Sequence, residues 1–260
     1  MNRRQWLRTT ATVTAGSFLL PNRIRAWARI QSASGNSPNV QTENVQYPSG
    51  EAKLNAFVAK PASGEPHPSL ILIHDDTGLN DHAMQVARNF AEAGFFTFAP
   101  DLLSRSGGVA SFQSADQIAE ALTQLPTDQT AEDLRAGYSY LRSTLNPDAS
   151  ASAVGLGWGG WRTFLLAEKV SGLARAVVYS GSAPSAGLSE IETMFLAHYG
   201  QYDFRLAGNA LWVEQELGKR FTYFIYPGVD HGFYDDSSPQ FNAEAAKLAW
   251  SRTLEFLRAA

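Results

Sequence analysis

The chain has 260 residues, 44% hydrophobic, 12% aromatic and 18% charged, with no cysteine. That supplies one sizeable core and excludes a disordered tail, a coiled coil or a fibre. It also excludes disulfides, Cys-ligated zinc, iron–sulfur clusters and a cysteine nucleophile.

Residues 1–29 hold six Arg and no acid, leaving 15 bases against 25 acids in the rest of the chain. So acidic a body argues against a nucleic acid partner, because each phosphate contact needs a cation. Asn2-Arg3-Arg4-Gln5-Trp6-Leu7-Arg8 resembles the twin-arginine export motif. A weakly apolar run from Thr9 to Leu20 follows, and Ala26-Trp27-Ala28 offers a small-x-small cleavage site. The expectation is a signal peptide over 1–28, read by the twin-arginine export machinery, and a periplasmic or secreted product. No run of about 18 apolar residues is present, so stable membrane insertion is not expected.

Residues 29–44 read as a linker, the polar character running on to Ser49, and the folded domain is placed at 45–260. Leu54–Ala59 alternates like a strand, and Ser69–His74 is a continuous apolar run typical of a strand buried on both faces. Asp81 is the expected cap of a helix stopped by Gly94, and Phe95–Ala99 is a buried strand. A Gly/Ser-rich loop spans 101–113. Helices are expected over Ala131–Leu145, Trp158–Lys169, Leu206–Leu217 and Phe241–Leu257. Strands are expected over Ala153–Leu156, Ala174–Tyr179, Thr193–Tyr199 and Phe221–Tyr226. This alternation implies an α/β fold, a mostly parallel sheet with helices on both faces, and a ligand site at the carboxyl ends of the strands.

Three strand ends carry chemistry. Val154-Gly155-Leu156-Gly157-Trp158-Gly159-Gly160 has the shape of a nucleophile elbow. Asp203 follows one strand and His231 follows the last. Elbow, Asp, His is the chain order of the α/β-hydrolases: the acid fixes the imidazole tautomer and the imidazole takes a proton.

With Ile73-His74-Asp75-Asp76-Thr77-Gly78-Leu79-Asn80, Pro100-Asp101-Leu102, His231-Gly232-Phe233 and Ala245–Trp250, the chain resembles the exported branch of the dienelactone hydrolase family over most of residues 50–258. The resemblance implies a small ester or lactone hydrolase with a Cys-His-Asp triad and no cofactor. It maps His231 and Asp203 to the triad and the N–H groups of Trp158 and Asp76 to the oxyanion hole; His74, Asp75 and Phe233 are the residues expected on the substrate side. Gly157 stands at the nucleophile position, without a side chain. Asp75 stands where the family carries Glu, and Asp235 where its best-known members carry a substrate-binding Arg.

Two functions follow. In one, the void beside Gly157 holds a water or a substrate atom, and His231, oriented by Asp203, activates a water near Gly157 against a small ester or lactone. In the other, the chain is a non-catalytic pseudoenzyme that binds a small molecule or protein partner in the former cleft. A metal held by His74, Asp75, Asp76 and His231 is not expected, and Asp235-Asp236 reads as a solvated acidic turn. Ser180 and Ser185 lack the Gly-x-Ser-x-Gly setting of a relocated nucleophile.

Overall fold

The computed structural model describes residues 39–64, 66–147 and 149–259. The leader expected over 1–28 lies outside them. The strands are β1 (Val40–Ser49), β2 (Ala52–Pro61), β3 (Ser69–Ile73), β4 (Phe96–Pro100), β5 (Ala151–Leu156), β6 (Leu173–Tyr179), β7 (Met194–Gly200) and β8 (Phe221–Tyr226). They form one sheet in the order β1-β2-β4-β3-β5-β6-β7-β8. The β1–β2 and β2–β4 pairs are antiparallel and the other pairs are parallel.

The helices are α1 (Asp81–Glu92), α2 (Ala115–Thr123), α3 (Thr127–Tyr140), α4 (Trp158–Lys169), α5 (Phe204–Leu217) and α6 (Ala243–Arg258). Successive strand residues point to opposite faces of a sheet, and β3 shows the result. Ile71 and Ile73 join Leu134 of α3, Phe164 of α4 and Val213 of α5 in one core. Leu70 and Leu72 join Phe90 of α1 and Ala249 of α6 in the other. A strand buried on both faces has to read as a continuous apolar run, as this one does.

The linker expected over 29–44 is corrected from Val40 onward. β1 pairs with β2 along its whole length, from Val40 opposite Pro61 to Ser49 opposite Ala52. It reads as polar because it is an edge strand, with only Val40, Tyr47 and Ser49 buried. α1 is capped by Asn80, whose side chain accepts the Ala83 N–H, and Asp81 is its first residue. α2 was not expected. Ser114 caps it, and Ile118 and Leu122 pack against Leu103 in a small separate cluster. α3 starts at Thr127, and its expected end at Leu145 is reached through a π-helical turn over Leu141–Leu145.

Candidate active site

β5 runs into α4 through Gly157, which adopts φ 44° and ψ −108°. Such a positive φ is costly for any residue with a Cβ and open to glycine. Gly159 lets the helix approach closely: a Cβ there would lie 2.5 Å from the carbonyl oxygens of both Ile73 and His74. The first turn of α4 is therefore pressed against the end of β3, beside Asp75 and Asp76.

The sequence led to the expectation of a void beside Gly157 for a water or a substrate atom, and the structure has no such void. The space is filled by the carboxylate of Asp75, and a Cβ on Gly157 would overlap Oδ1, Cγ and Oδ2 of that group. Oδ1 accepts the Asp76 N–H at 2.7 Å and the Trp158 N–H at 2.8 Å. These are the two donors assigned to the oxyanion hole, so they do converge on one point, and Asp75 occupies it. Oδ2 accepts the Tyr234 hydroxyl at 2.7 Å. The carboxylate is thus held by three charge-assisted hydrogen bonds at the N-terminus of α4, where the helix dipole favours an anion.

His231 and Asp203 come together as expected, with Nδ1 2.8 Å from Oδ2. Asp203 lies just before α5 and its side chain is only 11% exposed, whereas the His231 side chain is 52% exposed. The hydrogen bond to Asp203 raises the imidazole pKa above its ordinary value; desolvation opposes this, and the charges of Asp203, Asp75 and Asp76 reinforce it. Burial, and then the charge of Asp75, raise the Asp76 carboxyl.

Two substrate-side expectations are corrected. His74 is fully buried. Its Nδ1 lies 2.8 Å from the Asp75 carbonyl oxygen, and its Nε2 receives the Leu102 N–H at 3.4 Å. Its ring stacks on Trp158. Burial lowers its pKa, keeping it neutral, so it orients backbone and does not face a ligand. Phe233 is also fully buried, packed on Tyr226 and Tyr234. The loop after β8 points it inward and leaves His231 outside.

The Asp235-Asp236 turn is not merely solvated. His82 Nδ1 lies 3.2 Å from Asp235 Oδ1 and 3.3 Å from Asp236 Oδ1, tying this turn to the start of α1. Among the described residues, this is the cluster with metal-ligand spacing; the set His74, Asp75, Asp76 and His231 does not form one.

Nothing in the sequence singles out Tyr234 as the partner of Asp75. Behind it lies a buried polar network. Tyr234 packs on Tyr179, whose hydroxyl is 2.7 Å from Thr253 Oγ1, and Thr253 is 3.0 Å from His198 Nε2. Burial drives the His198 pKa down to about 3. Arg162 lies over the rings of Trp158 and Trp161, and desolvation lowers its pKa to about 9. Ser180 is the one non-glycine residue with positive φ among those described; its buried hydroxyl has no partner and no access to solvent.

The model of the dienelactone hydrolase family matches residues 54–260. A protein of Methylorubrum extorquens named carboxymethylenebutenolidase is 26% identical over 231 residues, covering 82% of this chain and 79% of its own. One of Synechocystis with the same name is 27% identical, covering 85% and 97%. Among solved structures, a dienelactone hydrolase of Klebsiella pneumoniae superposes with TM-score 0.75 at 22% identity, covering 85% of this chain and 98% of that one. A dienelactone hydrolase-like promiscuous phosphotriesterase from metagenomic libraries gives 0.72 at 19% identity, covering 84% and 97%. The architecture is the α/β-hydrolase fold.

Proposed function

Because the chain belongs to the dienelactone hydrolase family, we propose that it hydrolyses small carboxylic esters or lactones by direct water activation, with no bond to residue 157. The observation that carries this is the 2.8 Å contact between His231 Nδ1 and Asp203 Oδ2. Asp203 accepts the Nδ1 proton, which leaves Nε2 as a base able to take a proton from water. The N–H groups of Asp76 and Trp158 would polarise the substrate carbonyl, as oxyanion donors do, once Asp75 has moved off them. Asp235 and Asp236 on the loop of His231 favour a neutral substrate over an anionic one.

The base works only when neutral, and its neighbours stabilise the protonated form. Turnover of p-nitrophenyl acetate should therefore rise with pH through a midpoint above the ordinary histidine value of about 6.5. In Asp203→Asn the midpoint should fall, together with the maximal rate. A pH–rate profile tests this, and a rate flat from about pH 5 to 9 in the wild type would sink the reading.

One observation favours a second reading. The Asp75 carboxylate already sits in the hole, so the cleft would then serve as a binding site for a small molecule. Saturable ligand binding without turnover would support it.

We also infer that residues 1–28 act as a twin-arginine leader and that the protein works in the periplasm or outside the cell. The Arg3-Arg4 motif, the apolar run and the Ala26-Trp27-Ala28 site support this by their order. Replacing Arg3 and Arg4 by Lys should leave uncleaved precursor in the cytoplasm. Mature protein in the periplasm of that strain would refute the leader.

A further inference from the structure

The seat taken by Asp75 determines which reaction the oxyanion donors can serve. Both converge on Asp75 Oδ1, at 2.7 and 2.8 Å. A carbonyl arriving from outside finds them occupied, by a carboxylate that three hydrogen bonds hold down. An ester formed on Asp75 itself would have its carbonyl oxygen already in place. The second oxygen, Oδ2, has a phenol as its partner, the hydroxyl of Tyr234 at 2.7 Å. The carboxyl group lies in the space that a side chain at the elbow would fill, and its charge acts on His231. Carboxylates are competent nucleophiles. They are used best against saturated carbon, where the attacked centre needs no oxyanion hole.

We propose that Asp75 is a relocated nucleophile, and that the chain hydrolyses small alkyl electrophiles, epoxides or alkyl halides, through an ester formed on its side chain. The proposal rests on the water activation by His231 argued above, and names as its target an ester made in the site.

In the first step a lone pair of Asp75 Oδ2 forms a C–O bond to the electrophilic carbon. The bond from that carbon to the epoxide oxygen or halide breaks, and the leaving group takes the electron pair. For an epoxide, Tyr234 gives its proton to the new alkoxide and becomes the phenolate. In the second step His231 removes a proton from water, and the hydroxide attacks Cγ of Asp75. Charge develops on Oδ1, between the N–H groups of Asp76 and Trp158. Collapse expels the product alkoxide, which takes the proton from His231. The oxygen of the water stays in the Asp75 carboxyl, the former Oδ2 leaves in the product alcohol, and the carboxyl proton returns to Tyr234 or leaves with the halide. The sum is epoxide plus water to diol, or alkyl halide plus water to alcohol and acid.

The test uses the whole protein with styrene oxide and, separately, 1-bromobutane. In His231→Gln the ester should persist, and the peptide carrying Asp75 should gain the mass of one styrene oxide, or of one butyl group replacing a hydrogen after bromide has left, at close to one equivalent. In wild type turning over in heavy-oxygen water, the same peptide should acquire a heavy oxygen. Asp75→Asn, which keeps the shape and an accepting oxygen, should show neither. Absence of both signals with both probes overturns the proposal, even if p-nitrophenyl acetate is turned over and the esterase reading survives. An adduct on any residue other than Asp75, or one formed equally in Asp75→Asn, also overturns it. An Asp75 adduct that decays as fast in His231→Gln as in wild type supports Asp75 as nucleophile and defeats water activation by His231.

Discussion

His231→Gln is expected to lower ester turnover by about 10²–10⁴-fold, the usual contribution of a positioned general base. Gln matches the reach of the imidazole roughly and can still bond to Asp203, but its amide cannot accept a proton at neutral pH. The side chain is 52% exposed, so little packing is lost and the unfolding midpoint should stay near that of wild type. The effect should therefore appear in kcat, with KM nearly unchanged. Turnover at the wild-type level would remove His231 from the chemistry and leave the Asp203–His231 contact as a link between two loops.

Gly157→Cys is expected to be severely destabilised. The φ of 44° costs a residue with a Cβ about 1–3 kcal/mol. The new Cβ also overlaps the Asp75 carboxylate, which has to leave its three partners. Hydrogen bonds to charged groups contribute about 1.5–3 kcal/mol each, and exposure to water recovers part of that. A drop in denaturation midpoint equivalent to more than about 3 kcal/mol should result, with no thiol-dependent esterase activity while the carboxylate and the sulfur compete for one space. The double variant Gly157→Cys, Asp75→Gly removes the overlap. It should be more stable than the sum of the single changes predicts, with a coupling of about 0.5–3 kcal/mol, and its thiol should become available to His231. A single variant as stable as wild type would show that Asp75 is not seated against Gly157.

Much of the frame could be read from local pattern. Ser69–His74 had to be a doubly buried strand because both faces of β3 meet a core. α4 could be bounded at Trp158 and Lys169 because glycines precede it and its apolar positions recur helically. Asp203 and His231 were legible as neighbours because each follows a strand, and strand ends of a parallel sheet converge. β1 was not legible, since an edge strand that is largely exposed carries little apolar alternation. The occupant of the elbow was missed for a different reason. Gly157 and Asp75 each depart from the family pattern, and neither position by itself reports the other. The two changes share one space: removing a side chain at 157 opens the volume that the carboxylate at 75 fills. The partner of that carboxylate, Tyr234, lies 159 residues further along the chain, and no local pattern reports a contact of that span.

The same span sets the order in which the protein can be made. The Asp75–Trp158 contact joins residues 83 apart, and the Asp75–Tyr234 contact joins residues 159 apart. The entropy of closing so long a loop has to be overcome before the contact rewards it. β1 to β4 can pair while the rest of the chain is still being synthesised, but Asp75 has no phenol to meet until the loop after β8 has emerged. A nascent chain stalled before that point holds an acidic group against α4 with one of its three partners missing. Completion of the site is therefore a late event in biosynthesis, and stability of the elbow region should rise only with the last thirty or so residues, as limited proteolysis of ribosome-bound chains of graded length would record.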